Sequence, residues 1–169
     1  VLLLLAVLVK LSSPGPVFYV QRRVGRDYSR FGCIKFRTMR ADADAVLARV
    51  LDEDPGLRSE FERDFKLRRD PRITRVGQFL RRSSLDELPQ FLNVLRGEMS
   101  VVGPRPIVDR ELTRYGDYMD EVAAVRPGLT GLWQVSGRNN LSYKKRVKLD
   151  LAYARGRSFS LDLAIILRT

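Results

Sequence analysis

Nine apolar residues in a row, Val1 to Val9, open the chain, and the pattern breaks at Lys10. A membrane-spanning helix needs roughly 20 such residues. The run therefore fits the tail of a longer membrane segment, a re-entrant piece or a buried core helix. A secretory leader fits worse, because no basic stretch precedes the run and Ser12-Ser13-Pro14-Gly15-Pro16 is a poor cleavage site. Pro14 and Pro16 stop the helix. Val17 to Val20 then reads as a strand, and Phe31 to Met39 as a second one. On that strand Lys35 and Arg37 would share one face while Ile34 and Phe36 point into a core. Two cations on one strand face are either a solvated surface or a phosphate cradle.

Helical spacing returns at Ala41 to Leu51 and at Pro55 to Phe65, with Asp54 as cap and Pro55 just inside the second start. Their mixed charge predicts a peripheral hairpin. Beyond the basic loop Lys66 to Thr74, a short helix is expected over Arg75 to Arg82, another running to about Leu95, and a strand at Met99 to Val102. Gly103-Pro104-Arg105-Pro106 is a rigid turn. Ile107 to Tyr118 and Asp120 to Val125 look helical. Arg126 to Arg138 is rich in turn formers but contains Leu129, Leu132, Trp133 and Val135, so it reads as a structured loop. A basic helix over Tyr143 to Arg155 and an apolar one over Phe159 to Leu167 complete an α+β chain, mostly helical with a few short strands. No internal repeat or low-complexity segment occurs.

Charge and composition narrow the chemistry. The 169 residues suit one modest core. The chain opens on Val1 and stops at Thr169 just after an apolar run, as an excerpt of a longer protein would. Lys and Arg number 31 against 20 acids, a net charge of +11. The partner is therefore anionic: a nucleic acid, an acidic membrane surface or a phosphorylated substrate. Cys33 is the one cysteine and there is no histidine, which excludes an internal disulfide, imidazole catalysis and Cys/His zinc sites. Acid–base or metal chemistry falls to carboxylates, which favour hard cations such as Mg²⁺.

Ser83 to Gln90 (SSLDELPQ) contains the most informative residues. Ser84-x-x-Glu87 has the form of a capping box, and acids in a first turn complement the helix dipole. Pro89 moves the expected helix start toward Leu88, which would leave Asp86 near the entry with a low pKa. In the chemical alternative, one of the adjacent carboxylates attacks phosphorus or holds a metal while the other manages a proton. Such a nucleophile needs cations to offset phosphate charge, and Arg81, Arg82, Arg105 and Arg138 are candidates. The Pro-braced Arg105 either points to solvent or is pre-aimed at phosphate. Trp133 reads as core or interface anchor before base-stacking platform.

Taken together, these segments resemble the bacterial sugar transferase family, the monotopic polyprenyl-phosphate phosphoglycosyl transferases. The matching stretches are Ser13 to Phe18, Gln21 to Gly25, Lys35 to Met39, Asp70 to Thr74, Ser84 to Gln90, Asn93 to Leu95, Gly103 to Pro106 and Arg126 to Arg138, in order along nearly the whole chain. The resemblance implies that residues 1–12 are the second arm of a re-entrant helix dipping into the cytoplasmic leaflet of the bacterial inner membrane. Residues 13–169 would be the catalytic domain, with a helical insertion over about 41–67 similar to that of the larger, galactose-type members. It also implies Asp86 as nucleophile and Glu87 as its partner, with Mg²⁺ at Asp86. Lys35, Arg81, Arg105 and Arg138 match phosphate-handling positions, and Asp150 and Asp162 match acidic positions of underived role. The implied partners are a UDP-sugar (galactose before glucose), undecaprenyl phosphate and membrane lipid, without nucleic acid; a homodimer is compatible. Two other classes compete with this expectation: a basic nucleic-acid-binding module and a non-catalytic membrane scaffold.

Overall fold

The computed structural model describes residues 1–64, 67–137 and 141–169. They form two compact units, each built from two stretches of chain: Val1–Tyr19 with Lys35–Leu88, and Val20–Ile34 with Pro89–Thr169. The architecture is α+β, mostly helical with short strands, as the pattern predicts.

In the first unit, α1 (Leu2–Ser12) lies on α4 (Arg75–Ser83). Leu5, Val9, Phe36 and Leu80 form its core, with Val17, Val76, Leu85 and Leu88 packed around them. Leu5 and Val9 repeat at one helical turn, so α1 buries a single stripe. Most of the rest of α1 is bare, with Leu3 80% and Leu11 78% exposed. No described helix is long and apolar enough to cross a membrane.

Arg37 departs from its expected face. It is buried, and its guanidinium donates to the Ser13 and Pro14 carbonyls at 2.7 and 2.5 Å, closing the C-terminal end of α1. Phe36 faces the core as expected, and β2 (Arg30–Phe36) ends there, short of Met39. Gly15 makes the exit possible. At φ +118° it occupies a conformation that side chains avoid, and an added Cβ would stand 2.2 Å from Arg37 Nη1.

The insertion contains α2 (Ala43–Glu53) and α3 (Pro55–Asp64), which pack on each other. Asp54 Oδ1 accepts from the Gly56 and Leu57 amides, the cap the sequence marks. The following chain returns alongside residues 38–40: Met39 bridges Ile73, and the Arg40 amide donates to the Arg72 carbonyl. Thr74 then caps α4 by accepting from the Gly77 amide.

In the second unit, β3 (Ser100–Val102) and β4 (Gly128–Thr130) pair in parallel, Ser100 opposite Gly128 and Val102 opposite Thr130. The strand β1 (Phe18–Val24) pairs with β2. The expected loop 126–138 thus contains a strand and also the short helix α8 (Leu132–Val135). Glycine is what the pairing requires: a Cβ on Gly128 would sit 2.1 Å from the Gly103 nitrogen.

The expected helices over 107–125 are broken into α6 (Leu112–Tyr115), α7 (Met119–Ala123) and single 3₁₀ turns. Gly116 at φ 52° and ψ −137° interrupts the path. Tyr115, Met119, Val122 and Ala123 nevertheless share one core with Val147 and Leu151 of α9 (Tyr143–Gly156). A separate core joins Val102, Tyr153 and Ile165, the last on α10 (Phe159–Leu167). Asn93 on α5 (Phe91–Leu95) is fully buried; it accepts from the Ile34 amide and donates to the Gly32 carbonyl and Glu98.

Candidate active site

The stretch carrying Asp86 and Glu87 is not a capped α-helix start. Ser84 ends α4 instead, in the left-handed conformation at φ 57°, its amide donating to the Leu80 carbonyl. A non-glycine residue costs about 1 kcal/mol or more there. The reversal sends the chain into a 3₁₀ turn, Leu85–Gln90, with Pro89 inside it. The Glu87 amide donates to the Ser84 backbone carbonyl at 3.2 Å, so the hydroxyl does not provide the capping box the spacing suggests. Leu85 and Leu88 anchor the turn in the core, leaving the two acids half-buried.

Lys35, Arg81, Asp86 and Glu87 gather in the first unit. The Lys35 ammonium donates to Glu87 Oε1 at 2.5 Å across 52 residues of sequence. Arg81 is aimed by Thr38, whose hydroxyl accepts from Nε at 2.8 Å. Asp86 has its pKa raised. Burial is the main cause; Lys35 opposes it, Glu87 adds to it and Arg81 opposes it. The expectation of a lowered pKa is therefore reversed, because desolvation of the carboxylate outweighs the two cations. Behind Arg81 lies Asp70, which accepts a bidentate pair of bonds from Arg72 at 2.8 and 2.7 Å.

This arrangement suits one chemistry well. Glu87 is occupied by Lys35, whereas Asp86 is near positive charge yet short of enough of it. An incoming cation, or a substrate that brings one, would favour its anion. Among the described residues no three Asp, Glu, Cys or His side chains cluster as a ready-made metal cage. Mg²⁺ takes as few as one or two carboxylates and fills its shell with water and phosphate oxygens, so Asp86 is the residue of this group that could hold one.

The remaining candidates belong to the second unit. Arg105 follows β3 in its proline-braced turn and stacks over Trp133 with its guanidinium 5.9 Å from the ring centroid; Arg146 stacks at 4.8 Å. Trp133 is itself core, 5% exposed. Asp150 is buried and accepts from the Tyr115 hydroxyl at 2.8 Å. Burial pushes its carboxyl up to about 7, against the pull of Tyr115 and of the Arg105 amide and guanidinium. Asp162 accepts from the Tyr153 hydroxyl at 2.8 Å. Arg138 lies outside the described residues.

Sequence reasoning missed Thr38, Tyr115 and Tyr153, each of which hydrogen-bonds an ionisable side chain. Thr38 lies inside the Lys35 to Met39 stretch and was legible as part of it. The tyrosines carry no local signal.

The comparisons with known proteins agree with one another. A family profile described as bacterial sugar transferase matches residues 1–169. The chain is 52% identical over 155 residues to undecaprenyl-phosphate galactose phosphotransferase of Salmonella typhimurium, covering 92% of this chain and 33% of that protein. It is 50% identical over 167 residues to the exopolysaccharide production protein ExoY of Rhizobium meliloti, with 99% of this chain and 74% of that protein covered. It is also 40% identical over 178 residues to UDP-glucose:undecaprenyl-phosphate glucose-1-phosphate transferase of Escherichia coli, covering all of this chain and 35% of that protein. The chain spans about a third of the length of several of these curated relatives.

Proposed function

The chain belongs to the bacterial sugar transferase family, and from that premise we propose that it moves a sugar 1-phosphate from a UDP-sugar to undecaprenyl phosphate, releasing UMP. The observation that carries the proposal is Asp86, half-buried on its 3₁₀ turn within electrostatic reach of Lys35 and Arg81.

An Asp86 carboxylate oxygen attacks the sugar-linked phosphorus of the donor. The bond to the bridging oxygen breaks, and UMP leaves with that oxygen and its electron pair. A phosphate oxygen of undecaprenyl phosphate then attacks the same phosphorus, and the Asp86 carboxylate departs, giving a lipid-linked diphosphosugar. Lys35 holds Glu87 in place, and both Lys35 and Arg81 offset the charge of the phosphates approaching Asp86. Asp86 is the residue that would hold Mg²⁺, which when bound withdraws charge from the phosphate oxygens.

Galactose is the donor sugar proposed first. Relatives named for galactose are 45–52% identical, against 40–43% for those named for glucose. The bare apolar flank of α1 supports membrane attachment, in this reading at the cytoplasmic face of the bacterial inner membrane.

The test uses the protein with UDP-galactose and Mg²⁺ but no acceptor. Intact-protein mass spectrometry is expected to detect a phosphosugar adduct that disappears in Asp86→Asn and is discharged by undecaprenyl phosphate. Normal turnover by a folded Asp86→Asn protein would exclude Asp86 as the nucleophile.

A further inference from the structure

A cleft of about 360 Å³ opens in the second unit, lined by Arg26, Arg126 and Arg157. Among the described residues Asp162 is the only carboxylate in the lining, and the Tyr153 hydroxyl already donates to it. Arg26 has a solvent-exposed contact with Asp27 at 3.1 Å. Among the described residues, Arg126 and Arg157 form no ion pair. Three cations around a concavity with one engaged acid select an anion, and guanidinium groups match the oxygens of a phosphate in pairs.

One wall of the cleft is not polar. Phe159 lines it and is 85% exposed. It also starts a stripe along α10, continued by Leu163, Ile166 and Leu167 at 46%, 46% and 79% exposure. These positions fall at i, i+4, i+7 and i+8, on one helix face. The opposite face is spent on the core through Leu161 and Ile165. An anionic cleft ligand without an apolar part leaves this stripe in water, whereas a phosphate attached to a hydrocarbon chain covers both features at once.

We infer that the cleft between Arg26, Arg126 and Arg157 binds the phosphate head of a lipid, whose chain lies along the Phe159–Leu167 face of α10. This does not rest on the sugar-transfer reading, since it needs neither Asp86 nor Glu87.

The experiment titrates the intact protein with dihexanoyl phosphatidic acid below its micelle threshold, followed by calorimetry. Inorganic phosphate and dihexanoyl phosphatidylcholine serve as comparisons. Phosphatidic acid is expected to bind at least tenfold more tightly than either. The double variant Arg126→Gln/Arg157→Gln should lose at least tenfold in affinity, and Phe159→Ser should erase the advantage over inorganic phosphate. Arg40→Gln, which removes a surface cation outside the cleft lining, should bind as the parent does and controls for the loss of charge alone. Farnesyl phosphate distinguishes the two lipid sources: tighter binding than phosphatidic acid assigns the cleft to an isoprenoid phosphate, and weaker binding assigns it to a membrane phospholipid. Unchanged affinity in the double variant, or equal binding of inorganic phosphate or phosphatidylcholine, would overturn the inference.

Discussion

Asp150 makes folding of the second unit depend on pH in a direction opposite to that of most carboxylates. Its carboxyl is 1% exposed as a residue and titrates at about 7 in the folded chain, against 3.8 for an ordinary aspartate. Burial sets this value, opposed by Tyr115 and Arg105. Below the unfolded pKa both states are protonated and the full contribution to stability is present. As pH rises toward 7 the unfolded chain releases the proton while the folded one keeps it, so stability falls, and the loss is complete once pH passes the folded value. Three pKa units correspond to roughly 4 kcal/mol, of which about 3 kcal/mol falls between pH 5 and 8. Asp150→Asn cannot titrate, and its amide can still face the Tyr115 hydroxyl, which both donates and accepts. Urea unfolding of parent and variant at pH 5 and pH 8 isolates this group, since every other carboxylate is common to both. The variant is expected to gain about 3 kcal/mol on the parent between the two pH values. An equal difference at both would mean that Asp150 is ionised in the fold and fully compensated, refuting the reasoning.

Much of the fold was legible because the signals were local. The helices α2, α3, α4, α9 and α10 all appear close to their expected bounds, with caps at Asp54 and Thr74 that depend only on neighbouring residues. The strand β4 was hidden for the converse reason. Gly128 reads as a turn former, and only the approach of Gly103, some two dozen positions earlier in the chain, makes it a strand residue. The candidate site divides in the same way. Asp86 and Glu87 stand out as an adjacent pair after a basic helix, but the bond between Lys35 and Glu87 joins residues too distant for any spacing rule. The direction of the Asp86 shift was misjudged because dipole and cations are visible in a sequence while desolvation is not. Arg37 shows the same limit: a cation on a strand face reads as either solvated or a phosphate ligand, and the structure spends it instead on two backbone carbonyls.

Two further perturbations bear on the first unit. Lys35→Met removes the foremost influence lowering the Asp86 pKa and strips Glu87 of its partner, so the acid limb of the pH profile for UMP release should move to higher pH and the maximal rate should fall; an unmoved limb would separate Lys35 from Asp86 ionisation. Gly77→Ala tests how closely α4 approaches the strand end that aims Arg81. Inside a helix this change ordinarily stabilises by about 1 kcal/mol. Here the added Cβ would stand 1.9 Å from the Thr38 carbonyl oxygen and under 3 Å from two more of its backbone atoms, none of which can rotate away. Thr38 must instead shift, although its carbonyl accepts from the Thr74 amide and its hydroxyl accepts from Arg81. Because the clash is with backbone, the cost lies at the upper end of the range for overpacking, about 1–3 kcal/mol, leaving a net loss of roughly 2 kcal/mol after the gain of about 1 kcal/mol in helix propensity. Chemical unfolding reads that loss directly, and a variant as stable as the parent would mean that α4 does not pass so near Thr38 and that the positioning of Arg81 has another origin.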